Sequence, residues 1–105
     1  MKTIFKSLAF IVVITMLLSA CKKMTPVACF TEDNATITAG GTVNFDGSCS
    51  EETHHWEWDF GDGATGEGTT VAHIYNNAGS YTVTLTAHDM DMELMDEESH
   101  VITVN

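Results

Sequence analysis

Apolar and polar positions alternate with a period of two over most of this chain, and that period predicts strands. The start is different. Met1, Lys2 and Lys6 precede a stretch over residues 7–20 without a single charge. A charged start followed by an apolar run has the order of a secretory signal, and this run is short of the roughly 20 residues that span a hydrocarbon core. Beyond a brief polar tether, residues 27–31 read as a first strand and Thr42–Asp46 alternates as a second. Ala39, Gly40 and Gly41 form the turn signal between them, which predicts a hairpin. Over residues 54–60, Trp56, Trp58 and Phe60 fall on one face and His55, Glu57 and Asp59 on the other. Gly61, Asp62 and Gly63 then turn the chain. A short strand over 71–75 and a turn over 76–79 follow. Next, Tyr81, Val83, Leu85 and Ala87 alternate with Thr82, Thr84, Thr86 and His88, the cleanest half-buried pattern in the chain. Residues 101–104 close it. No segment shows the three-and-four spacing of an amphipathic helix. About six or seven short strands with turn signals roughly every 8–12 residues predict an all-β, two-sheet sandwich.

The apolar start ends in Leu18-Ser19-Ala20-Cys21, which resembles the lipobox of bacterial lipoproteins. The resemblance implies a lipoprotein signal peptide over residues 1–20, acylation of the Cys21 thiol, a lipidated tether over 21–26 and a domain over 27–105. Two or more acyl chains hold a protein stably at a membrane where one does not, so the membrane is the first expected partner. Lys22 and Lys23 stand where some lipoproteins carry an acidic run for surface export. The expected location is therefore the cell envelope, on the periplasmic side of the outer membrane of a Gram-negative bacterium.

Charge narrows the partners further. The four basic residues, Lys2, Lys6, Lys22 and Lys23, all precede the predicted sandwich, whereas the fifteen acids lie between Glu32 and Glu98. A phosphate backbone is held largely by Lys and Arg, so nucleic acid is excluded as a partner. Export implies an oxidising compartment, in which Cys29 and Cys49 persist as a disulfide. Antiparallel partners have position numbers with a constant sum, and a turn centred near Ala39 sets Cys29 opposite Cys49 or its neighbour.

Three separated motifs, Trp58-Asp59-Phe60-Gly61-Asp62-Gly63, His73-Ile74-Tyr75 and Gly79-Ser80-Tyr81-Thr82-Val83-Thr84-Leu85-Thr86, together resemble the signature of the PKD domain, an immunoglobulin-like module. The resemblance implies structural roles. Trp58 fills the space between sheets, Gly61 and Gly63 permit a tight turn, and Asp59 and Asp62 accept from turn amides. Gly79-Ser80-Tyr81 is similar to a tyrosine corner, with Tyr81 bonded to preceding backbone and His73 packed nearby. It further implies a non-enzymatic interaction or spacer module for a protein or polysaccharide. Trp56, beside Trp58, either packs inside or serves as an exposed sugar-stacking platform.

The segment over residues 89–98 departs from such modules, and a metal-handling role is the competing reading. Asp89 and Asp91 supply hard oxygen donors for calcium, or Asp89, Asp91 or Asp96 join Asp59 and Asp62 in a site. Met90, Met92 and Met95, flanked by His88 and His100, resemble exported copper-binding segments. The plainer expectation has no cofactor: some of the methionines cover the sandwich edge and the acids form a solvated hairpin, with no Lys or Arg of the fold to neutralise them. His54 and His55 point to opposite faces of a regular strand and do not share a metal. There is no Gly-x-Ser-x-Gly elbow and no free thiol beyond the disulfide pair, so catalysis is not expected.

Overall fold

A computed structural model describes residues 23–105, and the expectations for residues 1–20 and Cys21 lie outside the described residues. The elements in chain order are β1 (Thr31–Glu32), β2 (Thr36–Ile37), β3 (Thr42–Asp46), β4 (His55–Asp59), β5 (Thr65–Glu67), β6 (Thr70–Ile74), β7 (Gly79–His88) and β8 (Met95–Val104). They form two sheets: β1-β3-β6, and β2-β8-β7-β4-β5. The sandwich expected from the alternation is the observed architecture.

Alternating side chains decide which face is inside. Val43 and Phe45 point inward from the small sheet, and Trp58, Val83, Leu85, Ile102 and Val104 from the large one. Phe30, Phe60 and Tyr75 complete this core from the connections. Aromatic edges and faces interlock within it: Phe30 meets Trp58 edge-on at 5.2 Å, and Phe45 lies 5.7 Å from Trp58. Trp58 is 2% exposed, so the register of β4 is the predicted one.

Four features differ from the sequence-based expectation. The first strand shrinks to Thr31–Glu32, paired with Asp46 and Phe45, and before it lies only a single bridge between Val27 and Glu51. The simple hairpin is interrupted, because β2 crosses to the other sheet and pairs in parallel with Thr103 and Val104. Two residues carry too little pattern to announce such a switch. The short β5, paired with β4, was not anticipated either. Finally, β8 begins at Met95 rather than near Val101, so β7 and β8 form one long hairpin. Its first half is hidden in sequence by acids at the inward positions.

Cys29 and Cys49 are joined as a disulfide with Cα atoms 5.3 Å apart. They fall opposite one another in the register of the Val27–Glu51 bridge, one residue out of step with the β1–β3 pair.

Candidate functional site

The motif turn sits where β4 leaves the sheet. Asp59 Oδ1 accepts from the Gly61 amide at 2.9 Å and Asp62 Oδ1 from the Ala64 amide at 3.0 Å. Gly61 has φ 81°, and a Cβ there would stand 2.5 Å from the Thr82 carbonyl oxygen, so only glycine fits. The second oxygen of Asp62 lies 2.6 Å from His73 Nε2, and the His73 ring stacks on Phe60 at 4.1 Å. Burial raises the Asp62 pKa, but the His73 contact and the Ala64 amide outweigh it and hold the carboxyl below its ordinary range. His73 thus packs on this turn rather than at the tyrosine corner. The neighbouring Tyr75 is buried and donates to the Phe60 carbonyl at 2.9 Å, and burial pushes its phenol well above the usual range. Tyr81 donates to the Asn77 carbonyl at 2.7 Å, four residues upstream, which is the bond of a tyrosine corner. Its ring is half-buried against the core.

Both indoles are committed internally. Trp58 Nε1 donates to the Gly68 carbonyl at 2.8 Å and Trp56 Nε1 to the Gly47 carbonyl at 2.9 Å. Trp56 lies directly on Gly47, where an added Cβ would come within 2.8 Å of its Cδ1. Of the two alternatives for Trp56 the structure shows the packed one: the ring is half-buried and lies on the loop before β4.

The acidic segment departs most from expectation. Lys23 Nζ sits 2.9 Å from Asp89 Oδ2, 2.9 Å from Asp91 Oδ2 and 2.8 Å from Glu93 Oε2. A lysine assigned to the tether thus supplies the cation that the domain was expected to lack. The three contacts hold its pKa above the ordinary lysine range. Asp89 is buried rather than solvated, and its Oδ1 accepts from the Glu93 and Leu94 amides at 2.9 and 3.0 Å, closing the turn between β7 and β8. The ammonium of Lys23, then these amides, keep its carboxyl ionised below the ordinary range. The oxygens of Asp89 and Asp91, the candidate calcium donors, surround an ammonium. Asp59 and Asp62 lie in the separate turn after β4. Met90, Met92 and Met95 are all exposed.

Sequence reasoning missed two further arrangements. On the inner face of β8, Asp96 Oδ2 accepts from the Ala28 amide at 2.8 Å and Glu98 Oε2 from the Phe30 amide at 3.0 Å. His100 stacks on Phe30 at 3.9 Å and reaches Glu32 at 2.7 Å. The signal was present, since Asp96, Glu98 and His100 share the parity of Ile102 and Val104. On the outer face, His88 is buried, with Nε2 3.1 Å from Glu57 Oε2.

The small sheet turns an open polar face outward. A groove of about 490 Å³ on it is lined by the polar Thr31, Asp33, Asn44, Asp46 and Thr70 and by the apolar Val71 and Ala72. Asp33 accepts from the backbone and side-chain amides of Asn44 at 3.0 and 2.8 Å, which fixes both groups. The Asn44 contacts hold the Asp33 carboxyl below its ordinary range.

A family model described as PKD domain matches residues 23–104. The chain belongs to the PKD domain family. Its PKD domain is similar, at 38% identity over 68 residues, to Collagenase ColA of Clostridium perfringens, a stretch covering 61% of this chain and 6% of the collagenase. The PKD1 domain of the Vibrio cholerae metalloprotease PrtV is similar at 30% identity with a TM-score of 0.65, covering 78% of this chain and 99% of that one. Carbohydrate-binding modules of the beta-sandwich superfamily, solved for their promiscuous specificity, are similar at 29% identity with a TM-score of 0.74. That match covers 80% of this chain and 36% of the other, so the chain spans only part of this relative and of the collagenase.

Proposed function

We propose that this PKD domain is a non-enzymatic interaction and spacer module, anchored in the bacterial envelope by acylated Cys21, that offers its three-stranded face to a protein or polysaccharide. The observation that carries the reading is the polar pair beside the groove on that face, where Asp33 and Asn44 bond to each other and are flanked by Thr31, Asp46 and Thr70. Fixed donors and acceptors bind hydroxyls and amides without first losing rotamer freedom. The likeness to carbohydrate-binding modules and to a collagenase supports a fibrous or polymeric ligand. With both tryptophans turned inward, recognition proceeds by hydrogen bonding rather than by stacking on an indole. The carboxylates of Asp59, Asp62, Asp89, Asp96 and Glu98 are engaged by backbone amides, and this favours structural over acid–base roles.

The test is retention of the full chain, purified in detergent, on insoluble cell-wall polysaccharides and on fibrillar collagen. Retention is expected on one of these matrices and is lost in the Asp33→Ala, Asn44→Ala double variant. No retention on either, or retention indifferent to that variant, defeats the assignment of the face. For the anchor and its envelope location, labelling with an alkyne analogue of palmitate should mark the membrane fraction and vanish in Cys21→Ala. Labelling that survives removes the lipoprotein reading.

A further inference from the structure

All four methionines among the described residues are exposed: Met24 by 63%, Met90 by 66%, Met92 by 47% and Met95 by 59%. Thioethers are ordinarily buried, so hydrophobic packing does not explain four on the surface. They also gather at one end of the sandwich. Met24 and Met90 line a hollow with His54, and Met92 lines a neighbouring cleft with His54, His55 and Glu57.

The strand register adds a row across the large sheet at the same end. His55 on β4 pairs with His88 on β7, and His88 pairs in turn with Met95 on β8. Directly paired residues share a face, with Cβ atoms about 4.5–5.5 Å apart, so two imidazoles and a thioether stand side by side. The next row carries Glu67, Glu57, Thr86 and Glu97. Its carboxylates make the neighbourhood attractive to a cation.

His88 is the decisive member. Its Nε2 is 3.1 Å from Glu57 Oε2, while its Nδ1 is buried and makes no hydrogen bond. A carboxylate that accepts from Nε2–H selects the tautomer whose Nδ1 lone pair is free, the way a metal-binding imidazole is oriented by its outer partner. A buried nitrogen left in that state costs free energy unless something uses it. The hard oxygens of Asp89, Asp91 and Glu93 surround Lys23 and that of Glu57 lies against His88, while Glu67 and Glu97 stand one row away from the imidazoles. The row itself offers imidazole nitrogen and thioether sulfur, a soft donor set that favours Cu(I) over calcium or magnesium.

We propose that His88, His55 and Met95, with Met92 at the rim, form a binding site for a soft monovalent ion, Cu(I) or its closed-shell analogue Ag(I), and that Glu57 positions His88 for it. The site lies on the outer face of the large sheet and does not depend on a ligand of the three-stranded face.

The experiment uses the full chain in detergent, its methionine methyl groups labelled with carbon-13, titrated with Ag(I), and with Cu(I) anaerobically against a chromophoric Cu(I) chelator. One ion is expected per chain, with the Met95 methyl resonance shifting and the Met24 resonance unmoved. Met95→Leu and His88→Asn should each weaken binding by more than about tenfold, and Glu57→Gln by roughly 10- to 100-fold as an outer partner. Met95→Leu keeps an exposed apolar side chain, so its result stands even if His88→Asn unfolds. Met24→Leu should change nothing. Absence of binding, binding unaffected by Met95→Leu, equal losses in Met24→Leu, or calcium competing at equal concentration would each overturn the site.

Discussion

β7 and β8 are neighbouring ten-residue strands of one sheet, yet they fill their inner faces by different physics. β7 presents Tyr81, Val83, Leu85 and Ala87, an apolar row stabilised by removal from water. β8 presents Ile102 and Val104 at one end and Asp96, Glu98 and His100 at the other. Opposite those acids runs the segment before β1, whose Ala28 and Phe30 amides have no strand to pair with. The carboxylates serve as that missing strand. A charge is tolerated at an inward position when it satisfies backbone donors that would otherwise be buried unpaired.

The contrast can be broken most severely at its apolar half. Trp58→Ala removes the ring between Phe30 and Phe45 and should cost about 3–5 kcal/mol, enough to unfold much of so small a domain, as denaturant melts would register. Fluorescence from an exposed Trp58 in the native chain would contradict the register. Next in size is the tie that holds the segment before β1 in place. Replacing Cys29 and Cys49 by Ser opens a loop with a separation of 20 residues and should cost roughly 3 kcal/mol, with a mass increase of two protons on reduction of the native chain.

The polar half predicts a smaller loss with a distinctive signature. Glu98→Leu leaves the Phe30 amide without its acceptor and should cost about 1–3 kcal/mol, whereas Glu98→Gln, which keeps an acceptor oxygen, should cost less. Hydrogen exchange at Phe30 should quicken in the leucine variant. A leucine variant more stable than the parent would mean that the inward charge serves no donor.

The smallest effects belong to the turn joining the two strands. Asp89 is held below the ordinary aspartate value of 3.8, so its stabilisation is present above that pH and is lost as pH falls through the lower folded value. Melting temperature should drop in acid, and Asp89→Asn should flatten that part of the profile. Lys23 has the opposite sign: its raised pKa keeps its contribution intact until strongly alkaline pH. Because Lys23, Asp91 and Glu93 are exposed, Lys23→Ala should shift the melting temperature only slightly, and added salt should shrink that shift further.

Much of the motif turn was legible because its signals are local. Gly61 at positive φ, aspartates two residues before the amides they bind, and a tyrosine four residues after its acceptor all depend on short stretches of chain. The candidate sites elsewhere were not legible in this way. The Lys23 contacts join residues 68 and 70 positions apart, and the His55–His88–Met95 row requires the register of three strands at once. Trp56 had the parity of a core residue, but whether it packed or stood exposed depended on how Gly47, in the loop before β4, folds back against it.

The sequence by itself determined the sandwich, the inward register of β4 and β7, the disulfide partners and the turn after β4, because a period of two and local turn chemistry act between near neighbours. Only the tertiary structure decided where the charges of β8 and Lys23 go, since a carboxylate's fate depends on which amide or ammonium the fold brings to it. Alternation records which side of a strand a residue takes, not what waits on that side.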